Sequence, residues 1–286
     1  MKLFSDTAAC VRLVADVISY RIRKREMANL FAAVSIMIAL HNEKLDIIVR
    51  LLFAAVLNTL VYLINDYCGI EEDLKSGTRD RGKVLYLKEH KGQALASMIA
   101  LFLGLAVWAA FYYPGLFLPL IGGAGICWLY SAKLKGVPLA DVLAMTAWGG
   151  VMPAAGIFLD SKNGWLLLAQ LALFSACFET IQTLRDRESD SLAGMRTTAV
   201  FLGERRTRIL LTLLICATAL YCILVLHYLF GLFFFVAAVI PVPSGKIDAY
   251  WNRVRLIFGL AWLAVLVQFY IHGSPLSLFY ASILPL

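Results

Sequence analysis

Two short polar sets stand where long apolar runs of the chain meet charged, basic stretches. Asn65, Gly69 and Asp73 are four residues apart, and so are Asp186 and Asp190. A spacing of four places side chains on one face of a helix. Each set is therefore predicted to point from the end of a membrane helix toward a shared pocket. Carboxylate and amide oxygens that are surrounded by Arg and Lys suit one task, which is to hold a hard divalent cation against a diphosphate.

The second set continues into its apolar run as a polar stripe. Glu179, Gln182, Thr183, Asp186 and Asp190 recur at helical intervals in a segment that is otherwise rich in Leu, Phe and Ala. An ordinary solvated helix end is the alternative, but a carboxylate inside a membrane is costly and marks a functional pocket by default. We therefore predict that Asp186 and Asp190 serve a site. Glu179, about two turns deeper, is a further candidate.

Basic and hydroxyl side chains near these sets are candidates for binding phosphate oxygens, because ammonium, guanidinium and hydroxyl groups donate hydrogen bonds to them. The candidates are Tyr130, Ser131, Lys135, Arg185 and Arg79. Cations at helix ends also anchor a membrane protein at the inner surface. Both roles stay open for Lys135 and Arg79.

The composition indicates that these residues belong to a membrane protein. Hydrophobic residues make up 61% of the chain, charged residues 16%, and the mean hydropathy is +0.78. Apolar runs of roughly 15–25 residues recur, which is the length that crosses a hydrocarbon core of ~30 Å. We predict an all-α polytopic fold with nine spans, preceded by an amphipathic surface segment at Val11–Tyr20. The predicted spans are Met27–His41, Leu45–Gly69, Gly92–Tyr112, Gly115–Ser131, Leu139–Leu159, Gly164–Leu184, Arg208–Tyr228, Leu229–Val242 and Val254–His272.

Lys and Arg alternate between the connecting segments. The N-terminal segment and the loops after the even-numbered spans are basic, whereas the loops near Tyr113, Asp160 and His227 carry almost none. By the positive-inside rule, the N-terminus and both acidic sets are predicted on the cytosolic side, with the C-terminus opposite. This bias accounts for the net charge of +7, so binding of a nucleic acid is not needed to explain it. The sequence indicates no protein partner; the lipid bilayer is the expected surrounding.

At these positions the chain resembles the UbiA superfamily of intramembrane prenyltransferases. Members carry Asn-Asp-x-x-Asp-x-x-x-Asp at the cytosolic end of helix two and Asp-x-x-x-Asp at that of helix six. Asn65-Asp66 with Asp73 resembles the first motif, and Asp186 with Asp190 resembles the second. Two further stretches are similar to family segments. They are Tyr130-Ser131 with Leu134-Lys135, like Tyr-Ser-x-x-Leu-Lys, and Ala193–Thr198, like Ala-Gly-x-x-Thr.

The resemblance implies nine transmembrane helices around a central cavity near the cytosolic side, formed by residues 1–286 as a single domain. It implies that Mg²⁺, held by Asn65, Asp73, Asp186 and Asp190, bridges to the diphosphate of a prenyl substrate. Asp73, Asp186, Asp190 and Glu179 would be the catalytic acids. Aromatic side chains would line the cavity, because aromatic faces stabilise a cation. The candidates by position are Tyr62, Tyr67, Trp148, Phe158, Phe174 and Phe178.

Gly69 departs from the motif, because prenyltransferases have Asp at that position. Asn-x-x-x-Gly/Ala-x-x-x-Asp paired with Asp-x-x-x-Asp resembles the UbiA-type terpene cyclases. We therefore expect Mg²⁺-dependent cyclisation of a linear farnesyl or geranylgeranyl diphosphate. The alternative is a prenyltransferase that joins the prenyl group to an aromatic or lipid acceptor. A transporter is disfavoured, because its ionisable groups would lie at mid-membrane instead of gathering at one face.

Overall fold

The chain folds into α-helices that pack against one another in a computed structural model, which describes residues 2–24, 26–76, 80–240 and 247–273. No β-strand occurs in these ranges. The helices are α1 (Lys2–Lys24), α2 (Ala28–Ala39), α3 (Lys44–Cys68), α4 (Ile70–Ser76), α5 (Arg81–Glu89), α6 (Lys91–Tyr112), α7 (Phe117–Leu129), α8 (Ala140–Val151), α9 (Lys162–Leu192), α10 (Thr198–Leu224), α11 (Gly231–Val239) and α12 (Ile247–His272). The predicted all-α fold is confirmed over the described residues.

Six of the described helical segments are long and apolar enough to cross a membrane: α3, α6, the stretch Pro114–Leu134 around α7, α9, α10 and α12. The other three predicted spans correspond to shorter helices, α2 and α8 with 12 residues each and α11 with 9. Twelve residues rise about 18 Å, less than the ~30 Å core. The predicted count of nine spans is therefore not confirmed, and Val242, the predicted end of the eighth span, lies outside the described residues.

A turn interrupts the fifth predicted span. α8 ends before a 3₁₀ turn at Met152–Gly156, because Pro153 has no N–H to continue the α-helical ladder. The fully buried Arg50 of α3 donates to the carbonyl oxygens of Ala155 at 3.3 Å and Ile157 at 2.8 Å. These bonds satisfy carbonyl groups that the interrupted helix leaves without partners.

Small residues bring α8 and α9 close together. A Cβ atom at Gly149 would lie 2.2 Å from the Ser175 Cβ, and one at Gly150 would lie 3.3 Å from the Ala172 Cβ. Close backbone approach through small residues is how membrane helices gain packing energy. Because α8 also packs against α7, it joins α9 to the half of the protein that contains α3.

Two clusters of buried apolar residues form the core. One joins α9 to α11 and α12 through residues that include Phe174, Phe234 and Phe258, and the other joins α1, α3, α6 and α7. The amphipathic segment at Val11–Tyr20 belongs to α1, and its buried face, which includes Leu13, packs against α3 and α6. The core thus holds the ends of α3 and α9 at fixed positions.

Candidate active site

The first acidic set lies where α3 ends and α4 begins. α3 stops at Cys68, and Gly69 leaves the helical conformation with φ −88° and ψ 3°. The Asp73 N–H then donates to the Gly69 carbonyl at 2.9 Å. One non-helical residue therefore separates Asn65 from Asp73. The Gly69 N–H donates to the Asn65 carbonyl, also at 2.9 Å, so hydrogen bonds of helical spacing continue across this residue.

Asp66 is committed to a buried ion pair. Arg21 of α1 donates to the carboxylates of both Asp66 and Glu26, and Asp66 is only 8% exposed. The Arg21 guanidinium also lies 4.1 Å from the centre of the Tyr62 ring, and the Tyr62 hydroxyl donates to the Glu26 carbonyl at 2.9 Å. Asp66 and Asp73 both line a groove beneath α1 whose other walls are mostly apolar.

A π-helical turn at Tyr130–Leu134 links α3 to α9. The Ser131 hydroxyl donates to Asn65 Oδ1 at 3.1 Å, and the Tyr130 hydroxyl donates to Glu179 Oε1 at 2.8 Å. Glu179 itself is buried. Single π turns inside helices are frequent at functional sites because they redirect side chains. The turn thus connects the first motif with the polar stripe of α9.

Lys135 stands between the two acidic sets. Its Nζ lies 2.5 Å from Glu72 Oε1 on α4. The Asp190 carboxylate on α9 interacts electrostatically with Lys135, Glu72 and Asp186, and Glu179 interacts with Lys135 and Asp186. Two acidic helix ends that are far apart in the sequence therefore share one ammonium group.

The last turns of α9 carry the second motif. Asp190 is buried beside the Thr197 hydroxyl. Asp186 is partly exposed and accepts two hydrogen bonds from its neighbour Arg185, at 2.8 and 3.0 Å. Arg185 also reaches toward α12, where its Nη1 lies 4.0 Å from an Asp248 oxygen. Both carboxylates lie near the C-terminal, negative end of the α9 dipole, an unfavourable position that a bound cation would relieve.

Asp141 is a site-positioning residue that the sequence analysis missed. It is fully buried and accepts hydrogen bonds from the Thr198 N–H at 2.7 Å and the Thr198 hydroxyl. The Thr198 Oγ1 accepts in turn from the Leu139 N–H at 2.7 Å, and Leu139 has a left-handed φ of +65°. These bonds join the segment after Lys135 to the segment after Asp190. The sequence feature that could have identified Asp141 is a lone carboxylate at the start of an apolar run.

Three of the aromatic residues predicted to line the cavity have different surroundings. Phe158 packs over the Arg50 guanidinium at 4.0 Å, toward the opposite end of α3 from Asn65. Phe174 and Phe178 pack against Phe258 of α12, with ring centres 4.9 and 5.6 Å apart. The Phe178 ring also lies 5.1 Å from that of Trp251.

The other three aromatic candidates belong to the α3 side of the core. Tyr62 lies beneath Arg21, and Tyr67 and Trp148 pack against the cluster around α3 and α7. The Trp148 Nε1 is buried and has no hydrogen-bond partner among the described residues. It is therefore a free donor on the face of α8 that this cluster contacts.

The donor set fits a cation that is shared with a diphosphate. No group of three or more His, Cys, Asp or Glu side chains within the described ranges is close enough together to hold a metal alone. Mg²⁺ in phosphate sites typically takes one or two carboxylates and completes its octahedron with phosphate oxygens and water. Asp186 and Asp190, one turn apart on α9, offer this partial set. Arg79 lies outside the described residues.

The fold and this helix-end site define an α-helical integral membrane protein. The model of the UbiA prenyltransferase family matches residues 28–255, and the chain belongs to that family. The predicted superfamily is confirmed.

Curated relatives match part of the chain. The 4-hydroxybenzoate octaprenyltransferases of Pseudomonas putida (strain W619) and Pseudomonas entomophila (strain L48) are each 32% identical over 102 residues. These residues are 36% of this chain and 27% of each relative, so the chain matches about a quarter of their length.

Solved structures show the same fold over most of the chain. A digeranylgeranylglyceryl phosphate synthase has a TM-score of 0.69 at 16% identity and covers 95% of this chain and 100% of its own. A UbiA homologue from Archaeoglobus fulgidus bound to GPP and Mg²⁺ has a TM-score of 0.60 at 18% identity, covering 91% and 99%. The apo UbiA homologue from Aeropyrum pernix K1 has 0.59 at 17%, covering 83% and 97%. The cyclase prediction gains no support, and the transferase alternative fits these relatives better.

Proposed function

We propose that this protein is a Mg²⁺-dependent membrane prenyltransferase that moves a prenyl group from its diphosphate to an aromatic or lipid acceptor. The observation that carries the proposal is Lys135, whose Nζ lies 2.5 Å from Glu72 Oε1 on one acidic helix end and which interacts electrostatically with Asp190 on the other. An ammonium group surrounded by carboxylates suits a ligand that brings both phosphate oxygens and divalent cations. The octaprenyltransferase relatives, and a homologue bound to GPP and Mg²⁺, support this ligand class.

Two pairs of residues would hold divalent cations, Asp186 with Asp190 on α9 and Asn65 with Asp73 in the first motif. When bound there, Mg²⁺ neutralises charge on the diphosphate as it departs. The partial carboxylate set at the end of α9 fits such a cation. A bound cation would also offset the unfavourable position of these carboxylates at the helix C-terminus.

Lys135 stabilises the leaving group. The bond between the prenyl C1 and the diphosphate oxygen breaks, and both electrons stay on that oxygen. The Lys135 ammonium has three donors, whereas the single hydroxyl protons of Tyr130 and Ser131 are engaged by Glu179 and Asn65. Fixed donors that are aimed at developing negative charge are usually the largest catalytic contribution.

Glu179 takes the proton that the acceptor loses. An electron pair of the acceptor forms the new bond to the allylic C1, and the acceptor's C–H or O–H proton must then leave. Glu179 is buried, and Tyr130 occupies only its Oε1, so Oε2 remains to accept the proton. A base within the protein, away from water, also limits capture of the cation by water.

Cyclisation is the second candidate, because Gly69 leaves the end of α3 without a side chain. A Cβ there would meet only the Asn65 carbonyl at 3.2 Å and Asp73 Oδ2 at 3.8 Å. A side chain at this position, which the sequence does not supply, would need a shift of a few tenths of an ångström away from the Asn65 carbonyl. With no acceptor, double bonds of the prenyl chain itself would attack the cation.

Product analysis separates the two candidates. Membranes that contain the protein are supplied with farnesyl or geranylgeranyl diphosphate and Mg²⁺, with and without 4-hydroxybenzoate or a glyceryl lipid. For a transferase, mass spectrometry detects a prenylated acceptor, and the diphosphate persists without one. A cyclic hydrocarbon or alcohol formed from the diphosphate alone would overturn the proposal in favour of cyclisation. The Asp190→Ala protein, which we expect to be inactive in either reaction, is the control for background hydrolysis.

A further inference from the structure

Three consecutive acidic residues at the start of α4 have three different surroundings. Glu71 is exposed, and its ion pair with Lys88 at 3.0 Å lowers the pKa of that carboxyl. Asp73 lines the groove beneath α1. Glu72 contacts Lys135 and interacts electrostatically with Asp190. Glu72 is therefore the acid of this run that forms an ion pair with Lys135.

The ion pair between Glu72 and Lys135 is partly accessible to solvent. Glu72 and Lys135 are both about one-third exposed, at 36% and 37%. Partly exposed ion pairs between long side chains are weak. Such a pair can be exchanged for other partners at little cost.

We propose that Glu72 is the exchange partner of Lys135. In the cation-free protein Glu72 holds Lys135 over the site; when diphosphate and a divalent cation bind, Lys135 turns to a phosphate oxygen and Glu72 turns to the cation. This inference rests on the proposed function for the identity of the ligand as a diphosphate. No covalent bond changes, and the two opposite charges simply find new partners.

The exchange predicts opposite effects of one substitution. Without a divalent cation, Glu72→Gln binds inorganic pyrophosphate about threefold more tightly than the unaltered protein, because Lys135 no longer has to leave a carboxylate. With Mn²⁺ present the order reverses. Half-saturation of the Glu72→Gln protein with Mn²⁺ then needs about tenfold more of the ion than half-saturation of the unaltered protein, because a carboxylate partner of the cation is missing. A purely structural role for Glu72 would shift both affinities in the same direction.

Binding measurements on the purified full-length protein in lipid nanodiscs test this. Calorimetry measures pyrophosphate affinity without metal and at several Mn²⁺ concentrations, and electron paramagnetic resonance counts bound Mn²⁺. Glu71→Gln is the matched control, because it removes the neighbouring charge and leaves Lys135 paired. Thermal unfolding of both variants checks that the fold is retained.

The outcomes separate the two proposals. Opposite shifts for Glu72→Gln and none for Glu71→Gln support the exchange. Shifts of the same sign, or a Glu72→Gln protein that matches Glu71→Gln, overturn the exchange alone. If the unaltered protein binds no pyrophosphate with or without Mn²⁺, the diphosphate function falls together with the exchange.

Discussion

Asp141 connects the segment after Lys135 to the segment after Asp190, so its removal affects stability and catalysis together. Its carboxylate accepts from two buried N–H groups, those of Thr198 at 2.7 Å and Val142 at 2.8 Å. Each buried donor that loses its acceptor costs about 1–3 kcal/mol. We expect Asp141→Ala to lower the free energy of unfolding by about 3 kcal/mol. Because Lys135 is then less well positioned, we also expect product formation to fall by about 10- to 100-fold.

Unfolding in mixed micelles, followed by tryptophan fluorescence, measures the stability, and product analysis measures the rate. Asp160→Ala is the matched control, because Asp160 is exposed. Thr198→Val keeps the N–H and removes only the hydroxyl, so it should lower the free energy of unfolding by about 1 kcal/mol. Thr198→Ser should behave like the unaltered protein. If Asp141→Ala unfolds like Asp160→Ala, the Asp141 bonds do not hold these segments together.

Three further results are expected. Chelation of divalent cations should abolish product formation, and added Mg²⁺ should restore it; activity that survives chelation would contradict the metal assignment. Arg21→Ala should lower the free energy of unfolding by about 3 kcal/mol, because it removes one partner of the buried ion pair with Asp66. The exposed Arg23→Ala should lower it by under about 0.5 kcal/mol, and equal losses would refute the buried pair. Gly149→Ala should lower the free energy of unfolding by about 1–3 kcal/mol through the clash with Ser175. At Gly104 an added Cβ meets no atom within 4 Å, so Gly104→Ala should leave this free energy unchanged or raise it.

Hydropathy predicted the apolar part of several helices closely and their polar ends poorly. The predicted Gly92–Tyr112 matches α6, Lys91–Tyr112, almost residue for residue. α9 continues to Leu192, eight residues past the predicted end at Leu184. Hydropathy detects residues that suit lipid, whereas backbone hydrogen bonds carry a helix on into water. The segment beyond the apolar run is where Asp186 and Asp190 lie.

Spacing identified the acidic sets but not which acid faces which. The spacing favoured Asp73 as the acid of α4 that serves the site, but Glu72 is the acid of α4 that forms an ion pair with Lys135. Nothing periodic in the sequence signals that pair.

The sequence also did not predict the long-range ion pairs or the π turn. Arg21 and Asp66 meet because α1 packs on α3, and a single sequence contains no record of that contact. The π turn at Tyr130–Leu134 has no residue signature of its own. Local pattern thus predicts the helices, while packing decides which of their polar side chains converge.

The charges at the converging helix ends explain why cation and diphosphate should bind together. Glu72, Asp186 and Asp190 outnumber the cationic Lys135 and Arg185, and the α9 dipole adds partial negative charge at the same place. A diphosphate carries several negative charges. At an effective dielectric constant of about 20, one like-charge pair 4 Å apart costs about 4 kcal/mol. Divalent cations remove this repulsion, so each ligand raises the affinity for the other by the same factor. The affinity for Mn²⁺ should therefore rise when pyrophosphate is added, and independent binding of the two ligands would refute this electrostatic account of the site.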